Sequence, residues 1–243
     1  MDRKKRRDTH NNPDFISGIF NYCDAWCEHC PFTSRCAVFA MEQADYEGDS
    51  RDKENGAFWK NLDESAGDAK ETAEIEAEIE GLDLDAFEMA KIAAEEQEID
   101  DAVQAHALHI SSRLYMDKTH TWLKGVDGLF QGKARDPDRD DIVDIIGWYH
   151  TQIHVKLDRA LHGEERGVPD IIADMPKDSD GSAKVALIGM DRSLAAWSRL
   201  KKHIPECEDE ILEFLILLER LRRATERTFL KARSFVRPGF DEK

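Results

Sequence analysis

No apolar run in this sequence approaches the roughly 18 to 20 residues that a membrane span requires. The longest, Ile211 to Leu218, is interrupted by Glu213. A secretory leader is not expected either, because the basic start Met1-Asp2-Arg3-Lys4-Lys5-Arg6-Arg7 is followed by neither an apolar stretch nor a small-residue cleavage site. Positive charge is scarce: 34 Lys and Arg stand against 51 Asp and Glu, a formal net charge of −17. Such a field repels phosphate backbones and anionic membrane surfaces, so neither DNA nor a membrane is an expected partner, and residues 1–13 are expected to be a disordered basic tail. The sequence has no Gly-x-x-x-x-Gly-Lys-Ser loop, no Gly-x-Ser-x-Gly elbow and no His-Glu-x-x-His, which takes away most of the support for nucleotide or serine hydrolysis. No strand pattern is visible. These absences leave the expectation of an acidic cytoplasmic protein whose thiols stay reduced.

Helical periodicity is what the sequence does contain. Four long patterns are expected at 83–124, 139–162, 182–204 and 206–234, divided by Asp136-Pro137-Asp138, by Asp180-Gly181-Ser182 and by Ile204-Pro205. The last has the clearest seam: Cys207, Ile211, Phe214, Leu218, Leu221, Thr225, Thr228 and Ala232. The third gives Ala186, Met190, Ser193, Trp197, Leu200 and Ile204, and the second gives Ile142, Ile146, Tyr149, Ile153 and Leu157. The expected fold is therefore all-α, a four-helix up-and-down bundle over 83–234 preceded by a small cysteine-rich helical hairpin over 14–46. Residues 47–82 read as an acidic linker, relieved by Phe58, Trp59 and Leu62, that pins the aromatic pair onto the body and holds a weak helix at 68–80. Residues 235–243 read as a C-terminal tail.

The hairpin carries Cys23-Asp-Ala-Trp-Cys27-Glu-His-Cys30-Pro-Phe-Thr-Ser-Arg-Cys36, spaced C-x3-C-x2-C-x5-C, while the remaining cysteine, Cys207, lies far away. In a reducing compartment such a cluster reads as metal ligands before disulfides. On a helix, Cys23 and Cys27 would share one face; Cys30 would come from the turn, and Cys36 from the positive end of a second helix capped by Thr33. Zinc usually takes four thiolates as two C-x2-C knuckles a dozen or more residues apart, and only one such knuckle is present. An iron–sulfur cluster accepts four ligands packed in a short stretch with proline after one of them, as in Cys30-Pro31. The expected cofactor is a 4Fe–4S cluster, with Zn as the alternative. His29 reads as a neighbour of the site and Cys207 as a small core residue.

The ten or so residues up to Cys30 resemble the C-x3-C-x2-C signature of radical S-adenosylmethionine enzymes. That resemblance implies Cys23, Cys27 and Cys30 as cluster ligands, with one iron open to the cofactor. The rest of the chain departs from the family: no alternation of strand and helix follows, and Cys36 could close the open position.

The first long pattern has a seam of Met89, Ile92, Glu96, Ile99, Val103, His106, Ile110, Leu114 and Asp117, which puts ionisable groups where apolar ones are expected. Asp117-x-x-His120 echoes half of a di-iron carboxylate motif, and Glu210 is the one inward Glu expected on the last helix. A hydrogen-bonded layer that fixes helix register is expected at His106, His150 and His154, with a second metal site there as the alternative. His109, His162 and His203 read as surface or border residues. The function expected from these features is a metal-binding redox or electron-transfer protein, an oxidoreductase if it is an enzyme. The alternatives are a zinc-stapled interaction module and an enzyme with the further metal site. A protein or redox partner, or a second copy of the chain, is the expected company.

Overall fold

The computed structural model describes residues 13–45, 86–132, 134–167 and 177–242, with 44–45, 86–89 and 127 as backbone only. The chain is all-α there, and among the described residues there is no strand. The α-helices are α1 (Ala37–Asp45), α2 (Ala86–Ala105), α3 (Ala107–Phe130), α4 (Pro137–Arg166), α5 (Asp178–Leu200) and α6 (Glu208–Thr228). Two compact units divide these residues, one holding 13–17, 27–45 and 86–96, the other 18–26 and everything from 97 onward. No helix is long and apolar enough to cross a membrane among the described residues. The expected tail up to residue 12, the linker with Phe58, Trp59 and Leu62, and the weak acidic helix lie outside them.

In the first unit the expected second helix, from a Thr33 cap through Met41, starts later and runs further. Residues Cys27–His29 and Thr33–Arg35 form single 3₁₀ turns, and of residues 27–45 only α1 is α-helical. Cys36, not Thr33, stands at the cap of α1: its backbone is extended (φ −109°, ψ 116°) and its carbonyl accepts the Ala40 N–H at 3.1 Å. The Ile16 N–H donates to the Arg35 carbonyl at 3.0 Å and the Arg35 Nε–H to the Asp14 carbonyl at 3.4 Å, which closes this segment on itself.

The second unit begins with a 3₁₀ turn at Ile19–Tyr22, entered through Gly18 at φ 71°. The expected helix through Cys23 and Cys27 does not form. Cys23 is extended (φ −96°, ψ 167°) and Ala25 takes φ 55°, a left-handed conformation that no α-helix contains.

The single helix expected over 83–124 breaks at His106. Its backbone opens to ψ 137°, and its Nδ1 accepts the Leu108 N–H at 3.1 Å as the N-cap of α3. The break resets the phase of everything after it. The buried face of α3 is Leu108, Ser112, Tyr115, Thr119, Trp122 and Val126, a regular four-three alternation, while Ile110 and Leu114 of the expected seam are 55% and 50% exposed. Ile92 is exposed too.

The other helices keep their expected faces. Asp136 caps α4 by accepting the Asp138 N–H at 3.2 Å with Pro137 in the first turn, and Ile142, Ile146, Tyr149, Ile153 and Leu157 are all buried. Helix α5 starts earlier than expected, so Asp180, Gly181 and Ser182 lie inside it, buried, and its seam from Ala186 to Leu200 continues to Ile204. On α6, Ile211, Phe214, Leu218, Leu221 and Thr225 are buried, but Thr228 is exposed and Phe229 takes the next core position. Helix α4 packs most extensively against α5. The further contacts pair α3 with α4, α5 with α6, and α3 with α6. Trp197 sits among them, stacked on Phe214 at 4.3 Å, edge-on to Trp122 at 4.9 Å, with its Nε1–H donated to the Tyr115 hydroxyl at 3.1 Å.

The expected C-terminal tail is packed. Phe235 lies 4.7 Å from the Tyr22 ring, and Asp241 accepts from Lys184 at 2.7 Å and from Arg237 at 3.0 Å. Burial alone would raise the Asp241 carboxyl, but these hydrogen bonds outweigh it and hold the group well below the usual carboxylate range.

Candidate functional site

None of the five cysteines is in a disulfide, and all are half-buried. In the first unit the Cys30 N–H donates to the Cys27 carbonyl at 3.1 Å, closing Cys27-x-x-Cys30 into a tight turn, and the Phe32 N–H points at the Cys30 sulfur at 3.4 Å. An amide aimed at sulfur is a contact that a metal-bound thiolate accepts, so the donor chemistry of this turn fits either expected metal. Among the described residues no group of three or more His, Cys, Asp or Glu side chains stands close enough to hold an ion.

In the second unit the Cys23 thiol donates to the Phe20 carbonyl at 3.3 Å. Around it, residues 18–26 are fastened to α4 and α5 by polar contacts that sequence reasoning missed. The Trp148 Nε1–H donates to the Asp24 carbonyl at 2.9 Å, the Tyr149 hydroxyl to the Asp24 carboxylate at 2.5 Å, and Arg192 to the same carboxylate at 2.7 Å. Trp26 stacks on Trp148 at 5.2 Å. Burial and the Asp24 carboxylate push the Tyr149 hydroxyl up, and burial with Asp178 pushes Tyr22 up to about 12. Lys156 is pushed down by burial, with Cys23 and Asp24 among the groups that oppose the shift. Arg159 ties Asp178, at 2.7 Å, to the Asn21 carbonyl, at 3.3 Å. Nothing in the spacing of Asp24 announces this role; only the Trp26-Trp148-Tyr149 aromatics hint at a buried partner.

The histidines form a different set from the expected one. His106 is occupied as the α3 cap, whereas His150 and His154 lie one turn apart on α4 and find their partners on α3. His150 stacks with exposed His120 at 6.0 Å and donates Nδ1–H to the Gly147 carbonyl at 2.6 Å. His154 meets His109 edge to face at 4.9 Å, and its Nδ1 lies 2.9 Å from the Ser112 hydroxyl. By distance alone, Ser112 and His154 resemble a nucleophile and its base. Ser112, however, is fully buried and donates to the His109 carbonyl at 3.0 Å, and with that bond made its oxygen accepts from His154. His109, expected at the surface or its border, is 8% exposed and bonded to Asp158 at 3.0 Å. Starting the α3 face at Leu108 would have placed it beside the core. Burial pushes His150 and His154 down, aided by His120 and His109 respectively.

Asp117 and Glu210, the other expected carboxylates, are both exposed and line a shallow cleft between α3 and α6 with Lys118, Thr121, Trp122 and Phe214. Glu96 is exposed. His203 pairs with Asp136 at 3.0 Å, and half-buried Cys207 packs against the core just before α6. Compared with known families, curated proteins and solved structures, the chain matches none.

Proposed function

We propose that this chain is a metal-binding helical protein of the cytoplasm in which Cys23, Cys27, Cys30 and Cys36 hold a 4Fe–4S cluster used for redox chemistry or electron transfer. The observation that carries the proposal is the C-x3-C-x2-C-x5-C spacing itself: four of five cysteines fall within fourteen residues. Two features support it, the 3.1 Å turn from Cys27 to Cys30 and the Phe32 amide on the Cys30 sulfur, since hydrogen bonds to ligand sulfur help set a cluster's potential. When bound, such a cluster supplies one-electron exchange. The chain's own part is to hold the thiols half-buried and to direct an amide at one of them. An up-and-down four-helix bundle built from α3 to α6, preceded by a cysteine-rich hairpin, belongs to the same proposal. The pairing of α3 with α4, α4 with α5, α5 with α6 and α3 with α6 supports the bundle.

A second reading replaces the cluster with zinc and makes the protein an interaction module. The closed Cys27–Cys30 turn favours it, because that turn is the knuckle zinc thiolate sites use. A metal at His106, His150 and His154 is left out of the proposal, since capping engages His106 and the α3 contacts engage the other two.

Metal analysis and visible spectra of anaerobically purified protein test both readings. A brown protein whose broad visible absorbance bleaches on reduction supports the cluster, and a colourless protein with one zinc supports the staple. Cys23→Ser, Cys27→Ser, Cys30→Ser and Cys36→Ser should each abolish normal loading, because a closed site needs every thiolate. Loading that survives in Cys36→Ser alone, with S-adenosylmethionine bound by the wild type, would move the protein to the radical enzymes. Full metal content in all four variants would end the metal proposal.

A further inference from the structure

One imidazole is gripped between carboxylates on two helices. His162 on α4 places Nε2 2.9 Å from Asp100 Oδ1 on α2, and Nδ1 2.9 Å from the Asp158 carbonyl and 3.3 Å from Asp158 Oδ2. With only oxygen acceptors at each ring nitrogen, both bonds are made at once only by the imidazolium; a neutral ring has one N–H to give. Asp158 is held in turn by His109 at 3.0 Å, so the chain Asp100–His162–Asp158–His109 crosses three helices. The charges flanking His162 towards α5 are satisfied elsewhere: Glu164 by Lys177 at 3.0 Å and Arg159 by Asp178 at 2.7 Å. Arg166 lies one turn further along α4. Asp100 and Asp158 are thus the carboxylates that face the ring. Burial works against the charged form of His162, but the hydrogen bonds to Asp158 and Asp100 outweigh it and raise the group above its ordinary value.

The segment these bonds hold has few other anchors. Between Gln97 and Ala105 only Val103 is buried; Ile99 is partly so, and the remaining apolar side chains, Ala102 and Ala105, are exposed. The next residue is His106, extended, where α2 ends and α3 begins. A titratable grip therefore lies six residues, under two turns, from a break in the helix.

We propose that Asp100, His162 and Asp158 form a pH-operated latch that docks residues 97–105 while His162 carries its proton and releases them, about the break at His106, when it does not. The latch goes beyond the metal reading and does not depend on it. A base whose folded pKa exceeds its unfolded value adds stability that is complete below the unfolded pKa, near 6.5, and is lost as pH rises through the folded pKa. Raising the pH should loosen the end of α2 and leave α5 untouched.

Hydrogen exchange on the full chain, from below pH 6 to above pH 8, tests this when read as protection of the amides in 97–105 relative to those of α5. The wild type should lose protection there as pH rises, by about tenfold for each unit separating the two pKa values. His162→Gln should remove that pH dependence, and Asp100→Asn should weaken protection at the acid end while moving the His162 ring titration, followed by NMR, down. Flat wild-type protection, an unchanged profile in His162→Gln, or a His162 ring titrating at or below its ordinary value would each overturn the latch. Should His162→Gln lose α5 protection and so fail to fold, Asp100→Asn and the wild-type ring titration decide the matter.

Discussion

The Asp24 carboxylate accepts the Tyr149 hydroxyl at 2.5 Å across 125 residues of sequence. The same oxygen takes Arg192 at 2.7 Å, so one side chain binds the N-terminal segment to both α4 and α5. Tyr149→Phe removes a donor to a charged acceptor and should cost about 1.5 to 3 kcal/mol in urea unfolding. A loss within about 0.5 kcal/mol, the range of ordinary surface changes, would show that residues 18–26 are not anchored there.

Gly181 supports the same segment by having no side chain. A Cβ at this position would overlap the Tyr22 ring and come within 2.7 Å of Phe235 Cζ. Gly181→Ala should therefore destabilise the fold by about 1 to 3 kcal/mol, although alanine favours a helix. Stabilisation in thermal melts would mean that neither ring packs where it is placed.

The helix break at His106 makes two leucines unequal. Leu218 on α6 is fully buried and Leu114 on α3 is 50% exposed. Leu218→Ala should cost about 2 to 5 kcal/mol, and Leu114→Ala should stay within about 0.5 kcal/mol. Equal losses would restore the continuous seam that the unbroken pattern suggests.

Acid should strain the α3–α4 contact through His154. Burial and the neighbouring His109 lower its pKa, so its neutral form belongs to the folded state. For a base shifted down, stability is complete above the unfolded value near 6.5 and declines as pH falls through that value to the folded one. His154→Gln should flatten this acid decline, and the His154 ring should titrate below the His162 ring in NMR spectra. The reverse order of titration would contradict both environments.

Three of the long helices were legible because each carries its whole apolar face without interruption: Ile142 to Leu157, Ala186 to Ile204 and Ile211 to Thr225 are buried as their spacing requires. Helix α3 misled because a periodicity run through a break assigns every later residue to the wrong face, and a histidine that caps through its ring is not among the residues usually taken as helix starts. At the cysteines, spacing suggests a helix from Cys23 to Cys27, but the left-handed Ala25 between them has no sequence signature as glycine would. The Asp24 contacts were illegible for another reason. Residues 124 to 168 apart meet only through the fold, and no local rule connects them.

The seat of residues 18–26 also dictates an order of events on the ribosome. Asp24 is held by Trp148, Tyr149 and Arg192, and Tyr22 by Asp178 and Phe235, all of which are made long after it. Arg192 follows Asp24 by 168 residues, so at about 5 to 20 residues per second the segment waits roughly 8 to 30 seconds for its last α5 contact. Until Trp148 and Asp178 have been made, Trp26 and Tyr22 lack these partners. An early stretch that docks late is one a chaperone has time to hold.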